Sequence, residues 1–423
     1  MKILVLTHYY EPEIGAPQRR WSAMVSRWQQ AGHQVTVYCP PPHYPDKVST
    51  ASMRAGKIRA GSVETGKYGE KIVRMPYLLH GFSGKARLAD QLVVATSSIV
   101  YGLWSIGVRG QKYDAVIATV PGVPSLVAGS VLSALTSVPL VAELRDAWPD
   151  VLTSDLEFAV SHQSKAARRL KELAHAGITA LQKRSAAVVT TTERFAQILE
   201  ARGVKNVFPV PNGADYCEFE STHPVKETSE SLKILYVGTV GRSQDLQTAV
   251  KALEKVREID PSIDYRLRIV GNGAQKKALE TFSALRGIPV EFMPVQPREN
   301  LGELYAWADV TLASLKNTKP FEWTVPSKIY ELLLAQRFVI TQVRGEAAQI
   351  VKNSGGGAVL APESVDELAQ CWYDLAHHRS RLVMGNEPAE YVRKNFDYDA
   401  LAARYMSVLE NVLSSRRPKA VTA

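Results

Sequence analysis

The sequence predicts an α/β protein made of two doubly wound parallel-sheet domains, and three observations support this prediction. The chain has 423 residues, which fits two domains of about 200 residues, each large enough to bury its own core. Short apolar runs alternate with helical patterns, which is typical of parallel sheets covered on both faces. The alternation breaks once, near residues 209–231, and then restarts.

The first domain is predicted to span residues 1–215 and to begin with a buried strand at Ile3–Leu6. A helix is expected at Arg19–Ala31, because apolar side chains recur there at helical spacing and Gly32 follows as a helix-ending residue. The further strands predicted in this domain are Gln34–Tyr38, Ile72–Met75, Ala115–Ala118, Pro139–Glu143 and Ala187–Thr190.

A linker is predicted at residues 216–231, where apolar residues are few, and a second domain at residues 232–395. Residues 396–423 are expected to form a helix at Tyr398–Leu413 and a basic tail. Because open parallel sheets bind ligands at the carboxyl ends of their strands, we expect the site in a cleft between the two domains. The predicted strands are Lys233–Val237, Tyr265–Val270, Val290–Met293, Val310–Ala313, Phe338–Thr341 and Ala358–Leu360, and the predicted helices are Leu246–Val256 and Ala274–Leu285.

The net charge of +9 and the pI near 9.3 favour anionic partners. Signatures of nucleic-acid-binding folds are absent from the sequence, so we expect no nucleic acid and favour phosphorylated substrates or an anionic membrane face. Cys39, Cys217 and Cys371 lack the spacing of a disulfide framework or a metal site. They predict a reducing compartment and therefore a cytoplasmic protein.

Two segments bear on membranes. Leu92–Val108 is the longest apolar-rich stretch, but serines interrupt it and it is short for a membrane span, so a core helix is favoured. Residues 164–185 form a basic amphipathic pattern in which Glu172 is the single acid. Such a helix can lie on an anionic bilayer on the inner face of the plasma membrane, or it can be an ordinary solvated face, and the sequence leaves both open.

Small residues follow the first predicted strand at Gly15 and Ala16. A turn of this kind lets backbone N–H groups approach an anion at the start of a helix. The segment is not the G-x-G-x-x-G fingerprint of dinucleotide-binding enzymes, and a plain tight turn explains it equally well.

A charged cluster follows the predicted strand that ends at Glu143. Arg145 and Asp146 lie where α/β folds place their chemistry, at the end of a strand. The alternative is an ion pair between Arg145 and Asp146 or Glu143 that only fixes the loop.

Two glycine loops follow strands of the second predicted domain. Gly241 and Arg242 lie in the first loop, where a fixed cation beside backbone donors suits a diphosphate. Gly271 and Asn272 end the next strand in a similar way.

Pro326 and Ser327 predict the start of a helix, with Lys328 in its first turn. A lysine at this place opposes the helix dipole, and a bound phosphate would explain it. Glu331 falls on the same face one turn later, where a carboxylate can accept hydrogen bonds from ribose hydroxyls. The alternative is a surface pair of Lys328 and Glu331 on an ordinary helix.

Taken together, these segments resemble the family 4 glycosyltransferases of the GT-B fold over nearly the whole chain. The combination of Arg145-Asp146-x-Trp148-Pro149 with Pro326-Ser327-Lys328-x-x-Glu331 is similar to one branch of this family. That branch includes N-acetylfucosamine and colanic-acid-type transferases of surface polysaccharide assembly. The motifs that carry the resemblance are Pro12-Glu13-Ile14-Gly15-Ala16-Pro17, Gly32-His33-Gln34-Val35-Thr36-Val37, Arg145-Asp146-x-Trp148-Pro149, Pro211-Asn212-Gly213-x-Asp215, Val270-Gly271-Asn272-Gly273 and Pro326-Ser327-Lys328-x-x-Glu331.

The resemblance implies a GT-B protein with two Rossmann-like domains and retaining transfer of a sugar from a nucleotide-diphosphate sugar. UDP is favoured over GDP as the nucleotide, and the acceptor would be a glycan or a polyprenyl-linked sugar. No metal and no other cofactor is implied, since the nucleotide-sugar is a co-substrate. The last helix is expected to cross back onto the first domain.

The resemblance also assigns residues. The expected catalytic residues are Arg145, Asp146 and Lys328, with the acceptor near Gly15 and Asp146. The expected donor-binding residues are Gly15, Ala16, Gly241, Arg242, Gly271, Asn272, Val295, Ser327, Lys328 and Glu331, with Glu331 on the ribose.

Three departures from the family pattern are visible. The first glutamate of the family's pair is Trp323 here, with Glu322 one place away, and this leaves a non-catalytic nucleotide-sugar-binding or scaffold protein as the alternative function. The usual arginine and lysine of the first glycine loop are replaced, so Arg242 and Lys328 are expected to neutralise the diphosphate. The usual histidine before Asp146 is Arg145, which stays protonated and is expected to position substrate. A nucleotide-sugar epimerase is the rival within enzymes.

Overall fold

Two β-sheets form the framework of the computed structural model, which describes residues 1–13, 15–43, 58–79, 84–120, 122–153, 165–215, 225 and 228–415. Contacts divide the chain into two units. The first unit comprises Met1–Pro211 together with Tyr398–Ala423, and the second comprises Asn212–Asp397. The division falls at Asn212, within the predicted first domain, and most of the predicted linker lies outside the described residues.

The sheet of the first unit has eight strands in the order β3-β4-β2-β1-β5-β6-β7-β8, and only the short β3 runs antiparallel to its neighbour. The strands are β1 Lys2–Leu6, β2 Gln34–Cys39, β3 Val63–Thr65, β4 Lys71–Arg74, β5 Ala115–Val120, β6 Leu140–Leu144, β7 Ala187–Thr190 and β8 Val207–Pro209. The helices are α1 Ala16–Gln30, α2 Gly84–Leu103, α3 Val123–Thr136, α4 Asp150–Thr153, α5 Lys165–Arg184 and α6 Glu193–Ala201.

The sheet of the second unit has six parallel strands in the order β11-β10-β9-β12-β13-β14. The strands are β9 Ser231–Val237, β10 Asp264–Val270, β11 Val290–Met293, β12 Val310–Ser314, β13 Phe338–Gln342 and β14 Gly357–Leu360. The helices are α7 Leu246–Ile259, α8 Lys276–Leu285, α9 Leu301–Trp307, α10 Lys328–Leu334, α11 Glu346–Ser354, α12 Val365–His377 and α13 Glu387–Phe396.

The last helix, α14 Tyr398–Ser414, packs on α1 within the first unit. The ring of Tyr405 lies 5.3 Å from that of Trp28 and 6.3 Å from that of Trp21, and the Trp28 indole donates to the carbonyl of Ala402 at 3.2 Å. Buried aromatic pairs of this kind make large contributions to a core. The final helix is therefore part of the first unit's core, although nearly two hundred residues separate it from β8.

The predicted strands agree with the observed ones to within two residues at each end, because buried parallel strands read as continuous Val, Ile, Leu and Ala runs. The first helix begins at Ala16 and not at Arg19, since Pro17 is well tolerated in a first helical turn. Two short strands, β3 and β8, were not predicted. Cys217 and the basic tail after Ser415 lie outside the described residues.

The prediction of a core helix at Leu92–Val108 is wrong for one face of the helix, because that face is exposed. The helix α2 begins earlier, at Gly84, and continues through a π-helical turn at Trp104–Val108. By length and composition this helix could cross a membrane, and no more than 33% of its most apolar window is buried in the protein. Leu92 is 51% exposed and Val100 is 64% exposed.

Candidate active site

Two glycine loops meet at the carboxyl ends of the neighbouring strands β9 and β10. The backbone N–H of Gly238 donates to Val270 O, and that of Val240 donates to Asn272 O, each at 2.9 Å. Gly271 has φ 147°, and a Cβ there would lie 1.9 Å from Gly238 O. Only glycine allows this close approach, so both loops present bare backbone at the edge of the sheet where α/β folds bind ligands.

Lys328 lies directly against the first of these loops. The helix α10 begins at Lys328, as the sequence predicts, with Ser327 as its N-cap. The Nζ atom lies 3.8 Å from the centre of the Tyr236 ring, and a Cβ on Gly238 would come within 2.9 Å of it. The contact with Tyr236 is a cation–π interaction that holds the ammonium group beside the glycine backbone.

Glu331 is only 8% exposed. The hypothesis of a surface pair with Lys328 is therefore wrong, because such a pair requires both side chains in solvent. Burial of a carboxylate is costly unless hydrogen-bond donors surround it. Its binding of ribose stays a prediction.

The other residues predicted to bind the donor lie around the same loops. Arg242 is exposed in a 3₁₀ turn after Gly241, and Gly241 N–H donates to Gln244 Oε1 at 3.2 Å, so Gln244 serves its own loop. The Oδ1 atom of Asn272 accepts from Gly273 N–H at 2.8 Å. Val295 is 42% exposed just beyond β11. The structure thus brings together the predicted residues Gly241, Arg242, Gly271, Asn272, Ser327 and Lys328.

A shallow, open recess lies beside Glu322. The N–H of Lys316, on its rim, donates to Ser243 O at 2.9 Å, so the recess adjoins the Arg242 turn. Its polar lining residues include Lys316, Asn317, Glu322 and Arg344, whereas Trp323 does not line it. Glu322, the acid one position away from the family's first glutamate, therefore lies near the turn that follows the first glycine loop.

The charged cluster after β6 does not form the ion pair that the sequence left open. Glu143 pairs with Arg20 of α1, Oε1 to Nε at 2.8 Å, and both side chains are completely buried. Arg20 also donates to the carbonyls of Val210 at 2.9 Å and Pro211. The sequence analysis did not identify Arg20. A charged residue next to the core-facing tryptophans of α1 could have indicated a buried ion pair.

Arg145 is 9% exposed, and its Nε and Nη1 atoms have no hydrogen-bond partner among the described residues. Burial lowers the pKa of Arg145, while the charge of Glu143 opposes that change. Buried donors are nearly always satisfied in folded proteins, and a guanidinium group is suited to carboxylates and phosphates. Arg145 thus has the surroundings of an anion-binding residue.

Asp146, the next residue, is accessible to solvent. Desolvation of its carboxyl group by the surrounding protein nevertheless raises the pKa of Asp146, and the charges of Arg145 and Arg87 oppose this rise. Arg87, which the sequence did not single out, comes from α2 and donates to Tyr9 Oη at 3.2 Å. The carboxyl ends of β1 and β6 therefore share one group of charged side chains.

A buried cluster of His8, His43 and Asp90 lies next to this group. The Oδ2 atom of Asp90 lies 2.8 Å from His8 Nε2 and 2.9 Å from His43 Nε2, and the three ligand atoms are all within 4.8 Å of one another. Burial lowers the pKa of His8, whereas hydrogen bonds to Asp90 and Pro41 O outweigh burial and raise the pKa of His43. These residues could hold a divalent cation. That the transfer needs no metal stays a prediction.

Gly15 and Ala16 lie where α1 begins. Gly15 has an extended backbone with φ 178°, and its carbonyl accepts from Arg19 N–H at 3.0 Å. Among the residues that the structure describes, a Cβ on Gly15 would meet Pro17 alone, at 3.6 Å. Their contact with a donor stays a prediction.

Comparison with known proteins decides the class. The family described as Glycosyl transferase 4-like domain matches residues 15–213, and Glycosyl transferases group 1 matches residues 231–378. The chain belongs to the family 4 glycosyltransferases. The glycosyltransferase is 25% identical over 385 residues to the putative colanic acid biosynthesis glycosyl transferase WcaI of Escherichia coli K12, covering 87% of this chain and 90% of WcaI.

Solved structures show the fold of the glycosyltransferase. Sucrose-phosphate synthase from Thermosynechococcus elongatus matches with a TM-score of 0.71 at 14% identity, covering 98% of this chain and 99% of that one. HepE from Anabaena, in complex with UDP and glucose, matches with a TM-score of 0.65 at 16% identity, covering 97% and 100%. These likenesses confirm the prediction of a GT-B protein with two Rossmann-like domains, and the family confirms the prediction of a glycosyltransferase.

Proposed function

We propose that this glycosyltransferase transfers a sugar from a UDP-sugar to a glycan or polyprenyl-linked acceptor in cell-surface polysaccharide assembly, with retention of the anomeric configuration. The observation that carries the proposal is the Lys328 ammonium group beside the bare backbone of Gly238 and Gly271. This arrangement suits a diphosphate. The HepE complexes with UDP and with UDP-glucose support UDP over GDP.

In this proposal the second unit binds the donor. Lys328 and Arg242 neutralise the diphosphate, whose charge grows as it leaves, so no metal ion or other cofactor is required. Glu331 accepts hydrogen bonds from the ribose hydroxyls, and the backbone near Val295 faces the base. We place the donor sugar beside Glu322, and a contact with this acid would favour catalysis over a scaffold role.

The first unit binds the acceptor. Arg145 pairs with an anionic group of the acceptor, and Asp146 orients the attacking hydroxyl. The new bond forms between the acceptor oxygen and the anomeric carbon on the face from which the diphosphate leaves. The bond from that carbon to the phosphate oxygen breaks, and the hydroxyl proton passes to the leaving phosphate oxygen. No side chain then needs to act as a strong base.

We further propose a cytoplasmic protein that works on the inner face of the plasma membrane. The name of WcaI refers to colanic acid biosynthesis, which agrees with an acceptor in surface polysaccharide assembly. The helix α5 exposes all of Lys165–Leu170, and Leu173 is 69% exposed. Cations together with exposed leucines favour contact with an anionic bilayer over a merely solvated face.

Product analysis tests this function. The purified chain is incubated with UDP-sugars or GDP-sugars and polyprenyl-diphosphate-linked sugars, and the anomeric configuration of the product is read by NMR. We expect UDP release that depends on the acceptor, with an unchanged anomeric configuration. Nucleotide binding without product for every acceptor would establish the scaffold alternative, and an altered nucleotide-sugar formed without acceptor would establish an epimerase.

A further inference from the structure

The helix α2 has an inverted distribution of polarity. Its buried side carries small or polar residues, among them Asp90, Gln91, Ser98, Gly102 and Ser105. Val94 is also buried on that side, at 3% exposure, whereas five other large apolar side chains point away from the sheet. These form the α2 outer face, which comprises Leu88, Leu92, Val100, Trp104 and Val108, exposed by 52%, 51%, 64%, 39% and 75%.

A surface helix of a globular domain normally buries its apolar stripe and exposes its polar one. Single exposed leucines are ordinary, but a large apolar patch marks an interaction site. The exposed Thr96 interrupts the α2 outer face between Leu92 and Val100. No charged residue occurs between Asp90 and Arg109. That interval is about 27 Å long at 1.5 Å per helical residue.

The buried side fixes α2 to the first unit, so the helix does not leave the domain to cross a bilayer. A Cβ on Gly102 would lie 2.8 Å from Leu132 of α3, which shows how closely the two helices approach. The ring of Tyr101 contacts that of Tyr38 in β2 at 5.4 Å. Asp90 is bound to His8 and His43 in the cluster described above. The outer face is therefore presented by a rigid element.

Cations frame the outer face. Lys85 is exposed at the start of α2, and Arg109 and Lys112 are exposed beyond its end. The guanidinium of Arg109 lies 4.3 Å from the centre of the Trp104 ring. Tryptophan next to a cation is typical of side chains at the boundary between headgroups and acyl chains.

The neighbouring helices continue this surface. The helix α3 packs against α2 and also contacts α5, so the three helices cover one side of the sheet. Leu135 of α3 is 66% exposed, and α5 adds the exposed Arg168 and Arg169. Apolar and cationic side chains thus lie on adjoining helices.

We infer that the α2 outer face lies on an anionic bilayer, with its apolar side chains inserted at the level of the headgroups and its cations on lipid phosphates. The inference rests on the proposed polyprenyl-linked acceptor and names the surface that brings the first unit to it. A second copy of the chain on this face would set the cations of both copies against each other, and like charges disfavour such an interface.

Vesicle binding by the full chain tests the inference. The probes are vesicles of phosphatidylcholine with or without phosphatidylglycerol, and the variant is L92Q/V100Q. We expect the wild type to bind the anionic vesicles and the variant to bind them at least about tenfold less, since two inserted side chains are lost. The matched control, Leu285→Gln, changes an 83% exposed helical leucine of the second unit and should bind as the wild type does.

Tryptophan fluorescence gives a second readout. The wild type should show a blue shift with anionic vesicles, and Trp104→Phe should remove most of it. Equal vesicle binding by wild type and L92Q/V100Q would overturn the inference, as would a wild-type dimer that this variant converts to a monomer. Glu331→Ala separates this result from the proposed function, because it should lose nucleotide binding and keep vesicle binding.

Discussion

The ammonium group of Lys328 lies 3.8 Å from the centre of the Tyr236 ring and faces the backbone of Gly238. A lysine held in this way reaches a bound diphosphate without reorganisation. We expect Lys328→Met to reduce kcat by about 10²–10³, as is typical for loss of one preorganised cation or donor. Steady-state kinetics with saturating acceptor measure the loss. Lys277→Met, at an exposed lysine of α8, is the matched control and should keep wild-type activity; equal kcat in wild type and Lys328→Met would contradict the role of Lys328.

Gly271 is expected to reject any side chain. In Gly271→Ala the new Cβ would fall 1.9 Å from Gly238 O at a backbone angle that disfavours alanine. The two loops must separate, so we expect loss of nucleotide binding and a lower free energy of unfolding. Denaturant unfolding and nucleotide titration measure both. Gly177→Ala, in α5 with open space around it, is the control and should bind nucleotide normally.

The buried pair of Arg20 and Glu143 is expected to be structural. Arg20→Met leaves the Glu143 carboxylate buried without its partner, which typically costs about 3–5 kcal/mol of stability. The double variant R20M/E143L removes both charges and should regain most of the loss. Urea unfolding of the three proteins measures this. A double variant no more stable than Arg20→Met would contradict the interpretation.

Arg145 and Asp146 are expected to act on the acceptor. Because the pKa of Asp146 is raised, its carboxylate is lost at a higher pH than an ordinary aspartate would require. Activity that depends on this carboxylate is therefore present above the raised pKa and falls as the pH drops through it. Arg145→Gln should move this fall to still higher pH, because the charge of Arg145 opposes the rise in the pKa of Asp146. It should also raise the KM of the acceptor, because Arg145 is proposed to bind the acceptor's anionic group.

Asp146→Asn serves as the companion variant. It should remove the acidic limb of the pH profile and leave the nucleotide-induced thermal shift unchanged. A pH profile of kcat/KM with the same acidic limb in wild type and Asp146→Asn would assign the titration to another group.

The fold was largely readable from the sequence because its buried parallel strands are continuous apolar runs with glycine or polar residues at their ends. The start of α10 at Lys328 was also predicted, because Pro326 and Ser327 are typical of the residues that begin a helix. The burial of Glu331 was not, since an i, i+3 pair looks the same on an exposed helix. Its burial depends on the packing of α10 in the second unit.

Contacts across long separations were not readable either. Arg20 meets Glu143 over more than one hundred residues, and Asp90 joins two histidines that follow different strands. The exposure of the apolar residues in α2 was not predictable either. Composition shows that a helix is apolar, but it does not show which side of the helix packs against the protein. The three-dimensional arrangement alone pairs these residues.

The proposed function depends above all on nucleotide-sugar binding by the second unit, through α10 and the two glycine loops. Thermal shift measurements with UDP, GDP, ADP and their sugars test it most directly, because a ligand that binds only the folded state raises the Tm. We expect UDP and a UDP-sugar to raise the Tm of the wild type and of Glu303→Ala, an exposed acid of α9, and not that of Glu331→Ala. No shift of the wild type with any nucleotide at millimolar concentration would contradict the account.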